Sequence, residues 1–407
     1  MLQEHRSQDI PAVPQACAII DLDAIRNNVE ALRARAGTAE VMAVVKADGY
    51  SHGLVPSARA ALTGGASRLG VAVLEEAFAL RTAGITAPVL AWLAVPGAPY
   101  RRAIDEDVDL SVHTIGQLNE IANAATVSGR AAHIHLKVDT GMARGGAATD
   151  DWPGLVEQAR ARELDGLVRI AGIWSHLACA DQPGEPSIGR QLMVFDEALE
   201  VAARGGVRPD VRHIANSAAT LHLPESHYDM VRPGIATYGV DPLPAEHRSH
   251  TVALRPAMTL GARLAQVKRV PAGTPVSYGH TYATAGDTTL GVVPLGYADG
   301  VPRSASGTGS VQVHGHRCAI AGRVCMDQFV VDIGDEPAEP GDIVVLFGPG
   351  DHGEPTAADW AQAAGTIAYE TLTRIGGRIV RTYTGSTPMD TPPREPAPHA
   401  TTPKEER

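Results

Sequence analysis

The sequence predicts an α/β protein: an N-terminal (β/α)8 TIM-like barrel followed by a second, mostly β domain. Two observations carry the barrel. From about residue 16 to 240, short and continuously apolar runs alternate with amphipathic helical patterns, the texture of parallel strands covered on both faces. Roughly eight such units fill ~220–250 residues, the size of that barrel. A third observation carries the second domain. After about residue 245, helical pattern gives way to short strand-like runs punctuated by proline and glycine. An open doubly wound sheet fits the composition equally well.

The elements follow in order. ACAII, from Ala16, reads as the first strand of the alternating series, and Ile25, Val29 and Leu32 then fall at i, i+4, i+7 on one helix face. Further strand runs are VMAVV (from Val41), LGVAV (from Leu69), PVLAWL (from Pro88), DLSV (from Asp109), HIHLKV (from His133), RIAGIW (from Arg169) and VRHI (from Val211). DMVR, ending at Arg232, is the last of them. Thr114 and Gln117 have the spacing of a capping box opening the helix IGQLNEIANAA. Beyond residue 245, Pro256, Pro271 and Pro275 separate short runs. Strands are expected at LGVVPLG (from Leu290), QVHGHRCAIAGRV (from Gln312), QFVVDIG (from Gln328) and DIVVLFG (from Asp342), then a helical stretch from Asp359 to about Thr373. The expected division is an N-terminal extension over 1–14, a barrel over 15–245 and a β domain over 246–384. A Pro-rich, charged and disordered tail is expected over 385–407.

Composition bounds the function. Of 407 residues, 44% are hydrophobic and 20% charged, which excludes wholesale disorder. With aromatics at only 4%, the core must be built from Ala, Val, Leu and Ile. A net charge of −11 argues against a nucleic-acid partner, because phosphate backbones need basic stripes. Cys17, Cys179, Cys318 and Cys325 form no CxxC pair, so neither a disulfide framework nor a zinc ribbon is expected, and no metal site. MLQEHRSQDIP lacks the basic and apolar regions of a signal peptide, and no apolar run reaches membrane-spanning length. The expectation is a cytoplasmic protein with no membrane partner.

The sharpest local signal is AVVKADGYSHG. An apolar strand ends and delivers Lys46 to the rim where barrel active sites lie. Desolvation there would lower the lysine pKa and make it a usable Schiff-base amine or proton carrier. The lysine alone reads equally well as a surface residue; Tyr50, His52 and Gly53 beside it favour function. Two late loops resemble phosphate seats: HIANSAAT with Asn216 and Ser217, and VRPGIATYG with Gly234 and Ile235. Singly these are an N-cap and a turn. Together with the rim lysine they suggest pyridoxal 5′-phosphate (PLP).

AVVKADGYSHG, KVDTGMARGG, WSHLACAD, ANSAAT, MVRPGIATYG, VSYGHTY, LGYADG, VCMDQ and AYE resemble, in this order, the alanine racemase family. The resemblance implies a PLP enzyme with a barrel and a β domain, working as a head-to-tail homodimer with shared sites. It implies interconversion of L- and D-alanine, supplying D-alanine for peptidoglycan. Lys46 would carry PLP and act as base on one face of the substrate. The partner subunit's Tyr278 would act on the other, since a single base returns the proton to the face it left. His176 would hydrogen-bond towards Arg232, whose permanently charged guanidinium would face the pyridine nitrogen. Tyr50, Ser217, Gly234, Ile235 and Tyr369 would anchor PLP, with Asn216 in the same loop. Arg144 would reach the phenolic oxygen of PLP and the substrate carboxylate, and Lys137 is often carbamylated in relatives. Cys325, Met326 and Asp327 of the partner would line the substrate end, and Tyr297 would narrow the entrance.

Three alternatives stand beside this reading: a racemase of serine or another small amino acid, a related decarboxylase, and a non-catalytic PLP-binding protein. The region after residue 245 opposes the last, because such proteins resemble the barrel alone. Ala143 stands where relatives often carry glycine, and DGYSHG departs around the lysine loop. TRIGGRIVR departs from an Arg-Val-Pro-Arg pattern, a change read as touching nothing catalytic.

Overall fold

The computed structural model describes residues 15–248 and 252–386, so the expected N-terminal extension and residues 387–407 of the expected tail lie outside the described residues. The first strand, β1 (Ala16–Asp21), is followed by the barrel series: β2 (Glu40–Val44), β3 (Arg68–Val71), β4 (Val89–Ala91), β5 (Val108–Val112), β6 (Ala132–Lys137), β7 (Val168–Trp174), β8 (Val211–His213) and β9 (Met230–Val231). The eight from β2 to β9 form one parallel sheet in the order β8-β7-β6-β5-β4-β3-β2-β9. The seam between β8 and β9 is bridged by hydrogen bonds from Asp229 N to Arg212 O (3.1 Å) and from Arg232 N to Ala215 O (2.9 Å). The result is a nearly closed (β/α)8 barrel, as the periodicity predicts. Strands such as β4, buried at all three positions, show why they read as unbroken apolar runs.

The second domain holds β10 (Met258–Arg263), β11 (Gln266–Val270), β12 (Pro275–Val276), β13 (Tyr282–Ala283), β14 (Thr288–Val293), β15 (Ser310–Val313), β16 (His316–Ile320), β17 (Phe329–Gly334), β18 (Ile343–Phe347) and β19 (Val380–Thr384). Its nine-stranded sheet runs β11-β14-β17-β16-β15-β18-β10-β1-β19. β1 therefore does not open the barrel. It pairs antiparallel with β10 and parallel with β19, contrary to the reading of ACAII as part of the alternating series. A short apolar run identifies a buried strand but not the sheet that receives it.

Local chemistry explains the helix boundaries. Asp21 caps the helix Leu22–Ala36 by accepting from Ala24 N at 3.0 Å, and Ile25, Val29 and Leu32 are buried as their spacing predicts. Thr114 Oγ1 accepts from Gln117 N at 3.1 Å, but Gln117 returns its side chain to His113 N rather than to Thr114, so the box is only half made. The expected single helical stretch is two helices, Ala357–Ala364 and Ala368–Thr373, separated by the left-handed Gly365. One core of mainly aliphatic side chains runs through both domains, including Ile20 and Leu22 beside Val331 and Phe347. Among the described residues no helix is long and apolar enough to cross a membrane.

Candidate active site

The site begins where β2 ends. Val45 N extends the strand by donating to Gly70 O at 2.9 Å, and Lys46 emerges one residue later. The chain then runs left-handed through Ala47 (φ 53°), Asp48 (54°), Gly49 (61°), Tyr50 (53°) and Ser51 (65°). Four of the five carry a Cβ, which at about 1–2 kcal/mol each stores roughly 4–8 kcal/mol of strain. This turn folds the chain back and buries the Tyr50 ring against Tyr238 (5.0 Å) and Tyr369 (6.3 Å). Burial pushes the Tyr50 and Tyr369 phenols up. Lys46 is pushed down, first by desolvation and then by the charge of Arg144, with Glu76 opposing. Its Nζ stands 6.0 Å from the centre of the Trp92 ring.

β9 is the neighbour of β2, and Val44 N donates to Pro233 O at 3.0 Å, so the loop after β9 lies beside the lysine turn. Ser217 Oγ accepts from Gly234 N (2.8 Å) and Ala236 N (3.3 Å), which joins the two late loops. A Cβ on Gly234 would stand 2.3 Å from Tyr50 Oη, so glycine is required for this approach. Tyr50, Ser217, Gly234 and Ile235 thus share one buried corner, with Tyr369 at its edge. Asn216 spends its side chain on Ala219 N, at 3.1 Å, as a helix cap.

Arg232 is buried directly after β9 and serves as a hub. It donates to His213 Nδ1 (2.9 Å), His176 Nδ1 (3.2 Å), Ser175 O (2.8 Å) and Ile214 O (3.3 Å). A guanidinium only donates, so both histidines accept at Nδ1 and keep their proton on Nε2. Burial, and then the Arg232 charge, holds both well below the ordinary histidine range. His213 Nε2 lies 2.9 Å from His135 Nδ1, and Asp109 lies 3.5 Å beyond the far nitrogen of His135. The Trp174 ring packs under this hub, 4.8 Å from Arg232 and 4.4 Å from Lys137 Nζ. Burial and the charges of Arg232 and Arg144 push Lys137 down to about 8. Arg144 is exposed, on a loop that Asp139 gathers by accepting from Gly141 N, Met142 N and Ala143 N. Ala143, where glycine is frequent in relatives, has φ 54°.

The remaining expected residues gather elsewhere, on the β domain. Ser277 Oγ donates to Arg323 O at 2.7 Å and lies 3.4 Å from Cys325 Sγ, while Tyr297 N and Ala298 N donate to Cys325 O and Met326 O. Tyr278, Met326 and Tyr297 are 73%, 54% and 44% exposed, and Asp327 pairs with Arg378 at 2.8 Å. Among the described residues no hydrogen bond or ring contact joins this group to Lys46, Arg144 or Arg232 of the same chain. The sequence reasoning missed Trp92, Trp174, His135, His213 and Glu76. The two histidines lay in strand runs already quoted, where a buried polar residue is itself a signal.

The fold is a two-domain one: a parallel barrel with a desolvated lysine at its rim, joined to a β domain that displays its own exposed tyrosines. Residues 20–242 match the family model of the alanine racemase N-terminal domain, and residues 257–383 that of the alanine racemase C-terminal domain. The chain belongs to the alanine racemase family. It is 56% identical over 369 residues to the alanine racemase of Frankia casuarinae, covering 91% of this chain and 96% of that one. It is 55% identical over 375 residues to the alanine racemase of Salinispora arenicola, covering 92% and 100%. The crystal structure of alanine racemase from the D-cycloserine-producing Streptomyces lavendulae matches with TM-score 0.91 at 55% identity, covering 92% of this chain and 98% of that one. The protein is therefore an isomerase of the racemase type, and family and fold support alanine racemisation. The decarboxylase and non-catalytic readings are set aside.

Proposed function

We propose that the protein interconverts L- and D-alanine with PLP, by a two-base mechanism in sites shared between two subunits. One observation carries this reading: a desolvated lysine amine and a corner closed by Tyr50, Ser217 and Gly234 stand on adjacent strands of one barrel mouth. These residues fit PLP. The corner is too tight for a Cβ yet lined by a hydroxyl and backbone N–H groups, which suits a phosphate, and the amine suits an aldehyde. When bound, PLP supplies an electron-withdrawing ring that acidifies the substrate Cα–H.

The chain's own residues do the rest. Lys46, its charged form disfavoured by burial, anchors PLP and moves a proton at Cα on one face. The partner subunit's Tyr278 moves it on the other. Ser217 Oγ already accepts two N–H groups, which leaves its own proton free and would let it donate to the phosphate. Arg232, fixed by four acceptors and pushed down by burial to about 9, is still a cation near neutrality; it would face the pyridine nitrogen, and it keeps His176 neutral with Nε2–H as donor. Arg144 meets the substrate carboxylate. Lys137, at about 8, has enough neutral amine near neutrality to take up CO2, and the carbamate would pair with Arg144. Tyr278, Met326, Asp327 and Tyr297 are exposed with Cys325 half-buried beside them, and among the described residues they make no hydrogen bond to Lys46, Arg144 or Arg232 of the same chain, which supports delivery to a second subunit in a homodimer. The role is D-alanine supply for peptidoglycan, in the cytoplasm.

The test is chiral chromatography of the purified holoenzyme with L-alanine and L-serine in parallel. Alanine should be racemised with the larger kcat/KM. Faster turnover of serine would replace the substrate assignment, and no turnover of either would overturn the activity.

A further inference from the structure

The left-handed turn behind Lys46 is held from the far end of the chain. Arg381, on β19, reaches it with two edges of its guanidinium: Nε donates to Ser51 O at 2.6 Å and Nη2 pairs with Asp48 at 2.9 Å. The other oxygen of Asp48 accepts from Leu54 N at 2.8 Å. On the barrel side, Glu76 accepts from Ala47 N at 2.6 Å while its second oxygen takes Ala72 N and Val73 N. His52 Nδ1 shares its proton between the carbonyls of Gly49 (3.1 Å) and Tyr50 (2.9 Å).

A run of positive φ through Ala47, Asp48, Tyr50 and Ser51 persists only where surrounding groups over-determine it. Glu76 and His52 restrain the start and the middle. Arg381 restrains the outer edge and the closing residue, and it does so from the β domain. We propose that Arg381 is a positioning residue for racemisation, which locks the left-handed turn and thereby sets Lys46 at its start and Tyr50 near its end. The inference rests on the reading of Lys46 as the PLP lysine. A planar fork is needed, because the carboxylate and the carbonyl must be met at once; a lysine would meet one of them. Three residues earlier, Arg378 grips Asp299 (2.9 Å through both Nε and Nη2) and Asp327 (2.8 Å), on the loops that carry Tyr297 and Met326. One short stretch of chain therefore ties down the lysine turn and the group displayed for the second subunit.

The experiment compares wild-type, Arg381→Ala and Arg381→Lys holoenzymes, each normalised to bound PLP. Borohydride labelling of the wild type comes first; a label on a lysine other than Lys46 defeats the underlying reading by itself. With the label on Lys46, Arg381→Ala should lower kcat in both directions by about ten- to a hundredfold, the cost of a misplaced reacting group, with KM for alanine little changed. Hydroxylamine should strip PLP from it faster by a similar factor, and Arg381→Lys should recover melting temperature without recovering either rate. If Arg381→Ala fails to fold, Asp48→Asn removes the ion pair alone and should move both rates the same way by a smaller factor. A merely structural arginine would lower the melting temperature and leave kcat per bound PLP and hydroxylamine release at wild-type values. That result overturns the proposal.

Discussion

Gly234→Ala tests the phosphate corner at the scale of a single methyl group. The new Cβ would lie 2.3 Å from Tyr50 Oη and 3.1 Å from its Cζ, whereas non-bonded heavy atoms settle at about 3.5–4.0 Å. Something must therefore move by roughly 1 Å or more. Tyr50 cannot swing away, because Tyr238 and Tyr369 flank a ring that is 5% exposed. The loop can retreat only by stretching the 2.8 Å bond from Gly234 N to Ser217 Oγ. Overpacking of this kind costs about 1–3 kcal/mol. If the cost falls on cofactor binding, the PLP dissociation constant should rise by about 5- to 150-fold. The assay is titration of apoenzyme with PLP, followed by absorbance. Gly189→Ala, in the helix Pro186–Arg204 where a Cβ meets nothing within 4 Å, is the control; it should leave PLP affinity alone and stabilise by about 0.5–1 kcal/mol. Wild-type PLP affinity in Gly234→Ala would refute the reasoning.

Mixing Lys46→Ala with Tyr278→Phe subunits gives heterodimers with one doubly defective and one intact site. After equal mixing, activity should return to roughly a quarter of wild type; none, with subunit exchange verified, counts against shared sites. Tyr278→Phe alone should cut racemisation in both directions by about 10²–10⁴, while Cα exchange in D₂O, read by proton NMR, survives better from D-alanine than from L-alanine. Equal loss from both enantiomers would end the division of faces between Lys46 and Tyr278. Lys137 titrates at about 8 in the fold against an ordinary 10.5, so the unfolded chain binds more protons between those values. Stability relative to Lys137→Met, in bicarbonate-free buffer, should rise as pH climbs through that window and be flat below it. A pH-independent difference in denaturant midpoint would contradict the shift.

Much of the barrel was legible because a strand covered on both faces is mostly apolar, as β4 is throughout and β2 is after Glu40. Lys46 stood out for the same reason: a charge directly after such a run is costly unless used. The sheet membership of β1 was not legible. Its partners begin more than 200 residues later, at Met258 and at Val380, and no local pattern in ACAII distinguishes them from barrel neighbours. Nor does KADGYS, with its single glycine, announce positive φ at Ala47 and Tyr50; Glu76, His52 and Arg381 impose it from outside.

TRIGGRIVR shows the same limit most clearly. The motif reads as a divergence that touches nothing catalytic, yet its Arg378 and Arg381 grip Asp299, Asp327, Asp48 and Ser51, the last across 330 residues of chain. Sequence alone determined which segments are buried, what period they keep and which residues carry unusual chemistry, because burial and propensity are properties of short stretches. Only the tertiary structure decided which strand joins which sheet, which tautomer each histidine holds and which arginine restrains the lysine turn. Those depend on encounters between groups that approach one another only once the barrel has closed.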